Sequence, residues 1–226
     1  MIQPPIIVII PTRYHIGMLE DLIPSLSDAT KIYIYDNGLL PWQREALETY
    51  SQLTIINAYN MTIYEMWNDG WSKAQGEFLN PHIAILNDDI YFKPFTLSHL
   101  SKALVDHPLV AAICPDYTVS LKDDTNEYLA QYTTSTFGHG GLAGFAFMLK
   151  GELDIPKIDE TFQWWYGDDE LVKNIMASGY KVAILRGLPI YHEQGSSSKM
   201  DSSIEQKISL DMYYFNKKYG ENRQRW

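Results

Sequence analysis

The chain has 226 residues and one cysteine, Cys114, so neither an internal disulfide nor a cysteine-based zinc site can form, which fits a reducing compartment. Long apolar runs are missing too. The longest near the start, Ile6 to Ile10 before Pro11, falls far short of the roughly 20 residues a bilayer crossing needs, and no basic stretch precedes it as in a signal peptide. We therefore expect a cytoplasmic protein with no membrane span. Basic charge is scarce: 18 Lys and Arg stand against 28 Asp and Glu, a formal net charge of -10. That balance works against general attraction to a polyanion, on which nucleic-acid affinity largely rests. Phosphate-binding glycine signatures are also absent. Gly138, Gly140, Gly141 and Gly144 do not follow a strand with the spacing of a dinucleotide fingerprint, and no Lys-Ser/Thr pair closes them into a P-loop.

What is present is enough for one well-packed domain, with 46% hydrophobic residues. The β-branched run Ile6 to Thr12 reads as a strand buried on both faces. Leu19, Leu22, Ile23 and Leu26 have helical spacing, and Lys31 to Tyr35 returns as a strand ending at Asp36-Asn-Gly. The alternation continues with helix at 45–51, strand at 53–56, helix at 62–74 and the strand His82 to Leu86, which stops at Asn87-Asp-Asp. A helix at 97–106 and a strand at 110–114 follow, then a polar excursion from Asp116 to Thr136. Beyond it come the apolar run 145–149, a helix at 170–178, a strand at 180–185, a strand-like stretch at 188–191 and a closing helix at 204–219. Strands alternating with helices predict a single α/β domain with a mainly parallel central sheet flanked by helices.

In such a sheet, ligands bind outside the carboxyl ends of the strands. Asp36, Asp88 with Asp89, and His192 with Glu193 all fall at strand ends. Singly, each reads equally as a turn or capping residue. Together, neighbouring carboxylates after a strand can reach a hard divalent cation, and the excess of acidic residues suits one. His192, before the Gly195-Ser loop, could add a nitrogen ligand. Asp168, Asp169 and Glu170 open a helix, where carboxylates serve as caps; one of them could instead be a general base. Trp164 and Trp165 offer faces on which a sugar could stack, or they belong to the core. The glycine-rich backbone around His139 and Gly141 would let a substrate approach closely, or simply make tight turns.

Several short motifs occur in order: Ile-Ile-Pro-Thr at 9–12, Tyr-Asp-Asn-Gly at 35–38, Met-Trp-Asn-Asp-Gly at 66–70, Leu-Asn-Asp-Asp-Ile at 86–90, Tyr-Gly-Asp-Asp-Glu-Leu at 166–171, Gly-Tyr-Lys-Val at 179–182 and Tyr-His-Glu-Gln-Gly-Ser at 191–196. In this series the chain resembles the family 2 glycosyltransferases of the Rossmann-like glycosyltransferase A fold, over about residues 6–198. The end of the chain is similar to short bacterial and phage members. The resemblance implies a nucleotide-sugar-binding half at 1–115, an acceptor and catalytic half at 116–198 and a C-terminal helix at 199–226.

It further implies that Pro11, Thr12 and Arg13 border the nucleotide, that Asp36 contacts base or ribose, and that Asn68 lines the donor pocket. The family's Asp-x-Asp motif falls on Asn87, Asp88 and Asp89, with asparagine in the first place. Asp89 and His192 are then the expected ligands of Mn2+ or Mg2+, and Asp168 or Asp169 the base of an inverting transfer. The acceptor would be a saccharide, or a hydroxymethylated base in phage DNA; a phage-encoded protein would work in the host cytoplasm. A nucleotidyltransferase shares the fold, but a basic glycine-rich loop usually follows its first strand, and Pro11-Thr-Arg-Tyr-His is poor in glycine. A non-catalytic carbohydrate-binding module would explain the aromatics but not the carboxylates and His192 at element ends.

Overall fold

The structure is a computed structural model that describes residues 3–13, 16–117, 128–131, 141–193 and 203–222. Strand β1 (Ile6–Thr12) leads through α1 (Ile16–Ser25) to β2 (Lys31–Asp36), and α2 (Pro41–Leu47) leads to β3 (Leu53–Asn57). Helix α3 (Ile63–Glu77) precedes β4 (His82–Leu86) and a short β5 (Ile90–Phe92). Then come α4 (Thr96–Asp106), β6 (Val110–Asp116), β7 (Tyr128–Gln131), β8 (Ala146–Lys150), α5 (Gly167–Ala177), β9 (Lys181–His192) and α6 (Ile204–Tyr219).

The strands form one sheet in the order β3-β2-β1-β4-β8-β6-β9-β5, with β7 also on β9. From β3 to β4, and between β6 and β9, the pairing is parallel. It is antiparallel where β8 enters between β4 and β6, and where β5 and β7 meet β9. The sheet is therefore mixed, which corrects the mainly parallel expectation. A strand buried on both faces has the same apolar composition in either direction, so β8, buried at all five positions, carried no signal of its reversal.

Alternate residues of β1 serve two cores. Ile7 and Ile9 pack with Trp67, Trp71, Phe147 and Phe215 under α3, α5 and α6, while Val8 and Ile10 pack with Leu19, Leu22, Leu97 and Leu100 under α1 and α4. With both faces covered, the strand ends are left to carry chemistry. The expected stretches at 180–185 and 188–191 form one strand that runs to His192, bending at Gly187, whose φ of 78° is open to glycine and whose N–H donates to Asp116 (3.1 Å).

Candidate active site

Asn87, Asp88 and Asp89 link β4 to β5, beside the end of β1. The Thr12 hydroxyl donates to Asp88 Oδ2 at 2.7 Å and the Arg13 N–H to the same oxygen at 3.3 Å, so one buried carboxylate ties the two parallel strand ends together. Thr12 is also the register partner of Asp36, which sets Asp36, Thr12 and Asp88 in a row along the carboxyl edge. Strand β5 turns Asp89 toward β9. Ile90 stands opposite His192, and the Glu193 N–H donates to the Asp89 carbonyl (2.9 Å). That pairing brings His192 Nε2 to 3.2 Å from Asp89 Oδ1, with the two side chains 18% and 7% exposed. The imidazole stacks on Phe145, ring centroids 4.1 Å apart, and the Phe145 carbonyl accepts from the Asn87 N–H (2.8 Å).

The second carboxylate cluster reaches the same loop from the other side. Tyr166 adopts a left-handed conformation (φ 69°) to start α5, and the next N–H, of Gly167, donates to the Tyr64 hydroxyl at 3.0 Å. A Cβ at Gly167 would lie 2.1 Å from the Tyr64 ring, so only glycine fits. Burial and then the nearby Asp168 charge hold the Tyr64 hydroxyl well above its usual pKa. Asp168 lies against Gly144, where a Cβ would meet its Oδ2 at 2.5 Å. Since Phe145 follows Gly144, the 144–145 backbone links Asp168, packed beside Gly144, to the Phe145–His192 stack and through it to Asp89.

Other expected site residues are engaged by their own surroundings. Asp36 accepts from the N–H groups of Gly38 (2.9 Å) and Leu39 (2.7 Å) and from the Arg44 guanidinium. Burial pushes its carboxyl up, but these partners outweigh burial and hold it below the usual range. The Asn68 amide donates to the Ile158 carbonyl (2.7 Å) and to Glu160 (3.1 Å), fixing the chain ahead of the aromatic segment. Pro11 is a partly buried strand residue opposite Tyr35, and a Cβ at Gly141 would meet Val172 of α5 at ordinary contact distance, 3.5 Å. Trp164 is half-buried and Trp165 is 36% exposed. His139 lies outside the described residues.

Two buried carboxylates hold this region from behind: Asp211, which sequence reasoning missed, and Glu170, which it read only as one of a cluster of caps or candidate bases. Asp211 of α6 accepts from three successive N–H groups, those of Gln163, Trp164 and Trp165. Burial raises its pKa against the pull of those bonds. Glu170 accepts from the Asp159 N–H (2.6 Å), Lys218 Nζ (2.5 Å) and the Tyr219 hydroxyl (3.0 Å). For Asp211 there was a signal: it interrupts the apolar stripe Ile204, Ile208, Phe215 of the closing helix, and a charge on a buried stripe calls for a partner.

No known protein family matches the chain by sequence, and no curated protein does. Among solved structures, GalNAc-T7 with UDP, GalNAc and Mn2+ superimposes with a TM-score of 0.65 at 13% identity, covering 84% of this chain and 44% of that one. The fold is glycosyltransferase A-like. This chain thus spans under half the length of that neighbour. Among the described residues, no helix of the glycosyltransferase A-like domain is long and apolar enough to cross a membrane, and no three His, Cys, Asp or Glu side chains gather into a metal site. Two do meet. Adjacent corners of an octahedron with bonds of about 2.2 Å lie about 3.1 Å apart, so the 3.2 Å between Asp89 Oδ1 and His192 Nε2 suits two ligands of one cation.

Proposed function

We propose that the chain is a glycosyltransferase that moves a sugar from a nucleotide-sugar donor to a hydroxyl of a saccharide acceptor. The observation that carries this reading is the meeting of Asp89 and His192 at one strand edge of a glycosyltransferase A-like fold, with the Asp168 carboxylate reaching the same loop at Gly144. The solved neighbour holds UDP, GalNAc and Mn2+, and we carry over the ligand class: a sugar on a nucleoside diphosphate, with Mn2+ or Mg2+.

Pro11, Thr12, Arg13 and Asp36 border the nucleotide in this reading, and Asp88 holds Thr12 and the Arg13 backbone in place. Asp89 and His192 would hold the cation. When bound, the cation neutralises charge growing on the departing diphosphate. Asp168 takes the proton from the acceptor hydroxyl as that oxygen bonds to the anomeric carbon; the bond from that carbon to the phosphate oxygen breaks, and its electron pair leaves with the diphosphate. One displacement inverts the anomeric centre. We favour Asp168 over Asp169 because its carboxylate is the one packed on Gly144, next to Phe145 and His192. The exposed Trp165 and half-buried Trp164 favour a saccharide as acceptor.

Calorimetric titration with a panel of UDP-, GDP- and dTDP-sugars tests the reading. Binding of one donor with Mn2+ or Mg2+, lost with chelator and in Asp89→Ala, is the expected result. A folded protein that binds no donor overturns the transferase reading; equal binding with chelator overturns the metal assignment alone.

A further inference from the structure

Three consecutive peptide N–H groups converge on one side chain of the C-terminal helix. Asp211 Oδ2 accepts from Trp164 at 2.7 Å, Trp165 at 2.9 Å and Gln163 at 3.1 Å, and Oδ1 accepts from Gln163 at 3.0 Å. Such a nest of successive amides is an anion cradle, here closed by a fully buried carboxylate of the same chain. The flanking aromatics grip α6 one turn later: Phe162 and Tyr166 both pack on Phe215, at centroid distances of 6.3 Å and 5.0 Å. Orientation of the Gln163–Trp165 peptides is thus set from α6, about 47 residues further along. Those peptides carry both indoles, and Asp168 lies three residues beyond Trp165.

We propose that Asp211 is the positioning residue of the acceptor site: its carboxylate fixes the Gln163–Trp165 peptides so that Trp164 and Trp165 form a preset platform for a saccharide acceptor beside Asp168. This rests on the glycosyltransferase reading and assigns a residue that touches neither donor nor acceptor. A charged carboxylate can accept all the bonds at once, whereas an amide in its place offers one oxygen and adds two donors facing N–H groups.

The test compares wild type, Asp211→Asn and Ile208→Ala, the last loosening the buried face of α6 one turn away while leaving the nest intact. Donor hydrolysis, with water as acceptor, and transfer to p-nitrophenyl glycosides are measured with the nucleotide sugar that wild type binds. Asp211→Asn is expected to raise the glycoside KM about tenfold while donor affinity and hydrolysis stay within about twofold, and Ile208→Ala to lower stability without moving that KM. An unchanged KM in Asp211→Asn, or an equal rise in Ile208→Ala, overturns the proposal and leaves the transferase reading standing. Wild type that neither binds nor hydrolyses any donor sinks the reading, and this inference with it. If Asp211→Asn does not fold or no glycoside is an acceptor, amide hydrogen exchange of wild type decides: the 163–165 amides should exchange as slowly as those inside α6, and open-loop exchange there overturns the proposal.

Discussion

Strands β4 and β8 run side by side in opposite directions, and each end of the pair gathers titratable side chains. At one end His82 and Lys150 are register partners. His82 Nδ1 lies 2.9 Å from the Ser101 hydroxyl, and Lys150 Nζ donates to the carbonyls of His107 (3.2 Å) and Pro108 (3.1 Å); His82, Ser101 and Lys150 are buried, while His107 and Pro108 are exposed. At the other end, where Leu86 faces Ala146, four chain segments converge: the β1 end through Thr12, the β4–β5 link, the loop before β8 and the end of β9. Burial, with Lys150 nearby, pushes the His82 imidazole down to about 4, so a shifted histidine marks the quiet end. A perturbed group is therefore no guide to the site unless it also sits where strands end and segments meet.

Removing the proposed proton acceptor is the largest test of that contrast. Asp168→Asn is expected to lower kcat on the order of 1,000-fold while donor affinity and stability hold, and Asp169→Asn to cost less than about tenfold. Steady-state kinetics with calorimetric donor binding measures both. If Asp169→Asn suffers the larger loss, the base assignment moves by one residue; if neither does, the base lies on another segment.

Two glycines of the same end should fail in opposite ways. A Cβ at Gly167 meets the buried Tyr64 ring at 2.1 Å, an aromatic wall with nowhere to go, so Gly167→Ala should cost roughly 3 kcal/mol in denaturant unfolding. At Gly144 the obstacle is the end of the Asp168 side chain, which can swing aside. Gly144→Ala should lose less than about 1 kcal/mol of stability yet slow transfer on the order of 100-fold, because the displaced carboxylate is the proposed base. Loss of stability without loss of specific activity in Gly144→Ala would detach Asp168 from the chemistry.

Much of this end was legible in the residues and some was not, for physical reasons. The Ile6–Thr12 run, the helix spacing and the carboxylates after His82–Leu86 are local patterns, and most of the expected elements form, although α2 lies at Pro41–Leu47 rather than 45–51 and β7 falls inside the stretch expected to be irregular. Strand β5 was missed because three residues carry no periodicity, yet it is β5 that sets Asp89 against His192. The direction of β8 was hidden by its uniform burial. Asp211 and Glu170 hold backbone and side chains 46 to 49 residues away, contacts that no spacing rule encodes.

The quiet end should respond to pH in stability alone. His82 in the unfolded chain takes up a proton near its ordinary 6.5, while in the fold it resists protonation down to about 4. The unfolded state therefore binds more protons across that interval, and stability falls as pH drops from 6.5 toward 4, by about 3 kcal/mol once both pKa values are passed. Asp159 acts in a separate window. The hydrogen bond from Lys218, with those from Thr161, lowers its pKa from 3.8 to about 2, so its contribution is present above 3.8 and lost only below. Urea midpoints followed from neutral pH downward should then show an early decline and a later one, and His82→Gln should remove the first and keep the second. An early decline that persists in His82→Gln would place the responsible proton at another group and remove His82 from the account of acid stability.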